Sequence, residues 1–591
     1  MTHVVGDPTR FRADALDGFA AAYGRYVARV EGASGFVRSA APREGRVSLV
    51  VGGGSGHYPS YAGLVGPGLA QGCVLGDVFT SPSAAQVHRI GRAADQGGGL
   101  ILAFGNYAGD RLNFAIAAER LAAEGIDSRV VYVTDDVASA PPAEADSRRG
   151  IAGTFTVYKV GGAAADRGDS LAEVERLMRA ANAATFSFGV AFAGCTLPGQ
   201  SEPLFTVPAG TLELGLGIHG EPGIGESTIL PAEELAAKLV DAVLAERPAG
   251  AGPRAAVLVN GLGATKYEEL FGLNSHVARL LAAAGVESVL PEVGELVTSL
   301  DMAGCSLSVT WLDRELEECW RAPAATAAFH RAATDEVRTV VTVPLAGLGA
   351  EVGAGSADGG EAASPASAES LAAAATARAM LAAMLDALVE NEAELGRLDA
   401  VAGDGDHGMG MVRGMRAAVA AATPEGAGVG TTLARAGDAF ADAAGGTSGI
   451  LWGLILSTVG AELGDAEAVD GPRFAAAIGA AAEAVARIGG AKPGDKTLLD
   501  ALIPFAECLA AEVESGATAA DAWRAAAATA ADAAAATADW QARIGRARPL
   551  GARGVGTPDP GATSLALMAA AAAAPLAGDP GAELFPQRDK E

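Results

Sequence analysis

Three of the chain's seven histidines stand in glycine-dense stretches, where an imidazole is accessible to act as a base or a nucleophile. His57 ends Gly52-Gly53-Gly54-Ser55-Gly56-His57, which follows the apolar run Arg46 to Val51. The glycines free the backbone to approach a ligand, so Gly54, Ser55, Gly56 and His57 form a candidate binding loop. His219 lies in Gly215-Leu216-Gly217-Ile218-His219-Gly220-Glu221-Pro222-Gly223. The spacing formally matches the dinucleotide fingerprint, but that motif must open a helix, and Glu221-Pro222-Gly223 makes a turn instead. Asp110 follows the apolar run Leu100–Phe104, which places it on the same sheet edge as His57; the plainer role there is a helix N-cap.

His407 closes a second kind of site. Asp399, Asp404 and Asp406 fall within eight residues, interleaved with Gly403 and Gly405. Three carboxylates in one turn repel each other without a cation, and hard oxygen ligands suit Mg²⁺ shared with phosphates. An EF-hand is excluded, because Gly408 and Met415 stand where it needs oxygen ligands. Gly445-Gly446-Thr447-Ser448-Gly449 precedes a helix, and its N–H groups and hydroxyls suit phosphate. The stretch Gly489 to Thr497 nearly spells a Walker A loop, but Asp495 interrupts it and no strand precedes it.

Two kinds of scaffold must position these groups. From Val4 to about Leu345, short β-branched runs (Val47–Val51, Leu100–Phe104, Val130–Val133, Val190–Ala193, Ala256–Val259) alternate with helical stretches such as Ala84–Asp95 and Leu112–Ala123. The alternation predicts an α/β domain with a parallel sheet over residues 1–345, in two lobes of about 1–180 and 181–345. Residues 346–369 are small and acidic and read as a flexible linker. Beyond them, alanine-rich segments with Leu or Met at helical spacing predict an all-α domain over residues 370–585. Its segments are Leu371–Leu398, Thr432–Ala444, Arg473–Ile488, Thr497–Glu514, Ala519–Ile544 and Thr563–Ala573.

The totals exclude other classes. The formal net charge of −28 repels phosphate backbones and argues against a nucleic-acid partner. A phosphorylated substrate then calls for a metal to offset the repulsion. No run of 18 purely apolar residues occurs and no basic-then-apolar leader opens the chain, so a cytoplasmic protein without a membrane partner is expected. The five cysteines are scattered, which supports neither a disulfide framework nor a zinc site.

Together these stretches resemble the dihydroxyacetone kinase family over nearly the whole chain. The resemblance rests on Gly52–Pro59, Gly76–Ser83, Asn106–Phe114, Gly215–Gly223, Gly403–Gly408, Gly445–Gly449, Lys492–Thr497 and Asp559–Ser564, eight loops in the family's order. It implies the single-chain form, a ketone-binding α/β domain joined to a nucleotide-binding barrel of antiparallel helices. It implies that His219 adds its imidazole nitrogen to the substrate carbonyl as a hemiaminal, which selects ketones and aldehydes over glycerol. His57 and Asp110 match residues that hydrogen-bond the hydroxyl end, with Asp110 as general base. Asp399, Asp404 and Asp406 match ligands of two Mg²⁺ ions on ATP, the co-substrate. His407, Gly446, Thr447, Ser448, Leu498, Asp559 and Gly561 match the nucleotide site. A homodimer through the ketone-binding domain is also implied.

Two departures concern the substrate. The family loop commonly reads Gly-His-Glu-Pro and then Ala-His, whereas this chain has Tyr58 and then Ser60-Tyr61. The phenols make it look like the branch that phosphorylates the four-carbon ketose erythrulose, with dihydroxyacetone the three-carbon alternative. Met409-Gly410 replaces a usual threonine and polar residue near the nucleotide. Other activities in the family are an FAD-AMP lyase-type cyclase at the same metal site and non-catalytic roles as ketone sensor or phosphorelay subunit. Fusion of both halves in one chain favours direct use of ATP.

Overall fold

A computed structural model of the chain describes residue 4 and residues 6–333, 366–423, 426–544 and 547–577. The chain forms two compact units, Met1–Thr339 and Val340–Glu591. The linker expected over 346–369 lies outside the described residues as far as 365, and Ser367 already caps the helix Ala368–Glu390. Residues 578–585, the expected end of the helical domain, also lie outside them.

The first unit is α/β and holds two sheets. In chain order the first has β1 (Val27–Arg29), β2 (Gly35–Arg38), β3 (Arg46–Ser55), β4 (Gly72–Val78), β5 (Gly97–Gly105) and β6 (Ser128–Val133), arranged β1-β2-β4-β3-β5-β6. Its centre is parallel: β3 pairs in parallel with both β4 and β5, and β5 with β6. The continuous apolar runs follow, because helices cover both faces. Val50, Leu100, Leu102 and Phe104 pack with Val87 and Phe114 of the helices Ala84–Ala94 and Ala108–Ala123. Leu49, Val51, Ile101 and Ala103 face the other way, onto Phe155 and Tyr158 of the helix Thr154–Arg167.

β3 does not end at Val51, where the apolar run stops, but continues to Ser55. The glycines are strand residues packed too closely for side chains. A Cβ on Gly52 would stand 2.4 Å from Val74 Cγ1, and one on Gly53 would stand 2.3 Å from the Tyr61 hydroxyl. Only Gly56, with φ +100°, uses the left-handed freedom of the motif.

The second sheet has β7 (Thr185–Ala193), β8 (Thr211–Leu214), β9 (Gly225–Thr228), β10 (Arg254–Gly261), β11 (Glu287–Ser288), β12 (Glu292–Gly294) and β13 (Ala303–Trp311). They are ordered β11-β10-β13-β7-β8-β9, with β12 also on β10. Here the parallel expectation fails. β13, which the sequence pattern did not single out, inserts between β10 and β7 and runs antiparallel to both.

The second unit is all-helical: Ala368–Glu390, Glu392–Asp399, His407–Ala422, Val429–Ala444, Gly446–Leu463, Gly471–Gly489, Leu499–Glu514, Ala519–Ala536 and Pro560–Ala577. Successive helices pack on one another, and the last returns to Ala368–Glu390, which closes a ring around an interior of Met380, Leu433, Trp452, Phe474, Phe505 and Trp523. Small residues bring the helices close, since a Cβ on Gly437 would meet the Gly453 carbonyl at 2.7 Å. The expected segment Leu371–Leu398 is two helices broken at Asn391. The helices His407–Ala422 and Gly446–Leu463 exceed the sequence reading; glycines lower their intrinsic propensity, and packing overrides it. Ala368–Glu390 is long and apolar enough to cross a membrane by length and composition, and it is packed against three helices of this ring.

Candidate functional site

The first group of residues gathers at the carboxyl ends of β3 and β5, the parallel-sheet edge where α/β folds place ligands. His57 follows β3 directly and is 1% exposed. Its Nδ1 lies 2.7 Å from the Thr298 carbonyl oxygen, so Nδ1 carries the proton and donates it. Thr298 belongs to the second lobe. Its hydroxyl donates to the Tyr58 carbonyl at 2.8 Å, and the Leu300 N–H donates to the Gly56 carbonyl at 2.8 Å. The loop bearing His57 is therefore held by the segment 298–300, which is itself fixed by Asn260: the side-chain amide of this fully buried β10 residue bonds the Val297 carbonyl at 2.8 Å and the Leu296 and Val297 N–H groups at 2.9 Å.

His219 meets His57 with Nε2 to Nε2 at 3.0 Å, and the rings cross at 85°. The other nitrogen of His219, Nδ1, lies 2.9 Å from Glu221 Oε1 and donates to it. Phe79 stacks on His57 with ring centres 5.1 Å apart, and Tyr107 stands edge-on to His219 at 4.6 Å. Burial, and then the neighbouring His219 ring, push the His57 pKa down to about 3, so His57 is neutral with its proton on Nδ1. Burial alone would raise the Glu221 carboxyl; the bond from His219 and the charge of its ring override it and hold Glu221 at about 2.

Asp110 lies in the first turn of the helix Ala108–Ala123, after β5, and is 7% exposed. It is not the N-cap, a position held by Tyr107. Its Oδ1 is buried with no hydrogen-bond partner among the described residues. Burial raises its pKa to about 6, against contact with the Ser81 hydroxyl and the nearby His219 ring. A carboxyl with one oxygen unpaired and poised near neutrality is suited to accept a proton from a ligand. Of the binding-loop residues, Ser55 spends its hydroxyl on the Gly76 carbonyl at 2.6 Å, and Gly54 lies against the Thr80 backbone.

In the helical unit, Asp399 ends the helix Glu392–Asp399 and Asp406 immediately precedes the helix His407–Ala422. Ligand oxygens of Asp399, Asp404 and Asp406 all lie within 4.8 Å of one another. Oxygens on one octahedral Mg²⁺ are about 3–4 Å apart, so this donor set fits a hard cation. The Gly405 N–H donates to Asp399 Oδ2 at 2.8 Å, and a Cβ on Gly403 would stand 2.2 Å from Asp399 Oδ1.

His407 links three helix starts: its Nε2 lies 3.0 Å from Ser564 Oγ and its Nδ1 3.4 Å from Ser448 Oγ. Gly446, Thr447 and Ser448 form the first turn of Gly446–Leu463, and Gly561 and Ser564 belong to the start of Pro560–Ala577. Helix N-termini that meet in this way offer N–H groups and positive dipole ends to phosphate. Asp559 accepts the Ala562 N–H at 2.8 Å, and burial raises its pKa to about 6. Gly561 packs between Asp559 and Leu498. Lys496, from the Walker-like stretch, gives its ammonium to the carbonyls of Trp540, Gly554 and Thr557 at 2.7–3.0 Å, which makes it a structural cation.

The Dak1 domain matches residues 17–328, more than half of the chain, and the DAK2 domain matches residues 401–574. The chain belongs to the dihydroxyacetone kinase family. It is 53% identical to the D-erythrulose kinase of Mycolicibacterium smegmatis, over 96% of this chain and 97% of that one. It is 50% identical to the L-erythrulose kinase of Pectobacterium atrosepticum, over 98% and 97%. Among solved structures it resembles the dihydroxyacetone kinase from C. freundii in complex with AMP-PNP and Mg²⁺, with a TM-score of 0.57, 28% identity and coverage of 97% and 99%. This member of the family is a kinase, an α/β Dak1 domain followed by a helical DAK2 domain.

Sequence reasoning assigned no role to Glu221 or Thr298. Glu221 was within reach, two residues beyond His219 in the same turn. Thr298 was not, because it lies 241 residues from His57 and meets that ring through its backbone carbonyl.

Proposed function

We propose that this kinase transfers the γ-phosphoryl group of ATP to a terminal hydroxyl of erythrulose, held meanwhile on His219 as a hemiaminal. The observation that carries the ketose is the imidazole of His219, with Nδ1 held by Glu221, Nε2 at 3.0 Å from His57, and Asp110 near the ring. The four-carbon chain length is favoured by relatives named for erythrulose and by Tyr61, a buried phenol whose hydroxyl crowds Gly53 and whose own pKa the nearby Asp110 helps to raise. Tyr58 contributes less to the pocket, since it leans on Phe19 with ring centres 5.9 Å apart.

In this reading the carbonyl carbon bonds to His219, which fixes the ketose in one orientation. His57 hydrogen-bonds the hydroxyl end, and Asp110 takes the proton of the attacking hydroxyl. In the helical unit, Asp399, Asp404 and Asp406 would hold two Mg²⁺ ions, whose chemistry there would be to offset the charge of the ATP phosphates. Gly446, Thr447 and Ser448 cradle phosphate, with His407, Leu498, Asp559 and Gly561 completing the nucleotide site. Residues 1–345 and 370–585 act as the two working parts, with 346–369 as their linker, and the enzyme works as a homodimer.

A coupled assay of ATP consumption with dihydroxyacetone, D-erythrulose, L-erythrulose, glyceraldehyde and glycerol tests the substrate. At least one erythrulose enantiomer is expected to exceed dihydroxyacetone about tenfold in kcat/KM, a margin typical of one added contact group. Preference for dihydroxyacetone over both enantiomers would overturn the four-carbon assignment. Phosphorylation of glycerol at a comparable rate would overturn the carbonyl one.

A further inference from the structure

The Glu221 carboxylate grips a single histidine twice. Oε1 accepts the ring Nδ1–H of His219 at 2.9 Å, and Oε2 accepts that residue's own backbone N–H at 3.0 Å. The surrounding turn does not depend on this side chain, because the Gly217 N–H is taken by the Glu221 backbone carbonyl at 2.9 Å. A carboxylate offers only acceptors, so it admits one arrangement: the proton on Nδ1, and Nε2 on the side of His57. Gly217 preserves the arrangement, since a Cβ there would stand 2.1 Å from Oε2.

We propose that Glu221 is the positioning residue of the nucleophile: it fixes the reactive tautomer of His219 and balances the charge the ring acquires in the adduct. This rests on the covalent reading above. As the Nε2 lone pair bonds to the carbonyl carbon, the C=O π pair moves to oxygen. That oxygen takes up one proton from solvent. The ring now carries carbon on Nε2 and hydrogen on Nδ1, a cation facing the Glu221 carboxylate. One proton is gained on binding, and release returns it to solvent as the carbon–nitrogen bond breaks.

Glu221→Gln isolates the role with little change of shape. An amide has one oxygen for two N–H groups. If it serves the backbone N–H, its NH₂ faces Nδ1 and forces the proton onto Nε2, the wrong tautomer for attack. The full-length chain, without ATP, is mixed with ketose labelled with ¹³C at the carbonyl, and NMR reads the bound tetrahedral carbon against pH. In E221Q the adduct is expected to fall on the order of a hundredfold or more, a wrong-tautomer catalytic histidine costing up to about 10⁴-fold in kcat. The KM for MgATP and the melting temperature should stay near wild type while the KM for ketose rises. Gly217→Ala, which displaces the carboxylate without removing it, should lose adduct in the same direction and serves if E221Q does not fold. Wild-type adduct levels with an unchanged pH profile in either folded variant would overturn the role of Glu221. Absence of any tetrahedral carbon in the wild-type protein, by contrast, would overturn the covalent reading itself.

Discussion

The two candidate sites in this chain solve opposite electrostatic problems. In the α/β unit the titratable groups are sealed away: His57 is 1% exposed and Asp110 7%, and burial moves both pKa values toward neutral forms. Both imidazoles there donate through Nδ1, His57 to the Thr298 carbonyl and His219 to the Glu221 carboxylate. In the helical unit Asp404 and Asp406 are exposed, and their oxygens lie together with those of Asp399 in a set that could hold a cation. The proposed roles follow the same contrast, proton transfer at the first site and cation binding at the second. The contrast predicts that the two fail separately.

The largest effect should come from Asp404→Asn or Asp406→Asn. Neutral amides are poor Mg²⁺ ligands, so kcat should drop about 10³-fold or more while ketose binding by calorimetry stays unchanged. Activity near wild type at ordinary Mg²⁺ would break the comparison at its second half. Asp110→Asn should cost about 10²–10⁴-fold in kcat, the range of general-base removal, with the ketose adduct still visible by NMR. In the wild type, activity should fall as pH drops through about 6, because the carboxyl is then protonated and no longer a base. Since its folded pKa lies above the ordinary value, protonation of this group favours the fold, so the low-pH limb reports chemistry and not unfolding. A limb that survives unchanged in Asp110→Asn would assign it to another group.

Tyr61→His, which restores the common family residue, should move the ratio of kcat/KM between erythrulose and dihydroxyacetone by about tenfold toward the shorter ketose. An unchanged ratio would separate Tyr61 from substrate choice. The smallest functional effect is expected for Lys496→Met. Removing its ammonium leaves three carbonyls without their donor and should cost about 2–4 kcal/mol of stability in denaturant titrations. The KM for MgATP in the folded variant should stay within about twofold of wild type. A large rise in that KM would place Lys496 on the phosphates after all.

What the sequence disclosed follows the same divide. The helical site's aspartates are neighbours along the chain, so spacing alone brought them into view. The α/β site draws on residues near 57, 110, 219 and 298, and local pattern reports only the glycine-marked members of that set. The run Gly52–Gly54 looked like a loop because glycine is a poor strand former; the ring of Tyr61 and the side chain of Val74, not a turn, are what exclude a Cβ there. β13 was overlooked, and with it the antiparallel character of the second sheet, although its run of β-branched and small residues is fully buried from Gly304 to Trp311. Helical spacing found most of the ring but not Gly446–Leu463, whose first turn was read for phosphate chemistry and whose length is set by packing on its neighbours.

Asn260 has a bearing on how this enzyme could be rebuilt or could have diverged. Its amide fixes Leu296 and Val297, two residues before the carbonyl that dictates the protonation pattern of His57. The lobe that carries His57 thus receives the setting of that imidazole from the lobe that follows. Chimeras joined near residue 180 would exchange specificity freely only if donor and recipient share the 296–300 segment. Where they differ, the recombinant should fold and still read the wrong instruction at its active histidine. Selection acting on His57 is felt about 200 residues downstream, at an asparagine that bonds the backbone of Leu296 and Val297.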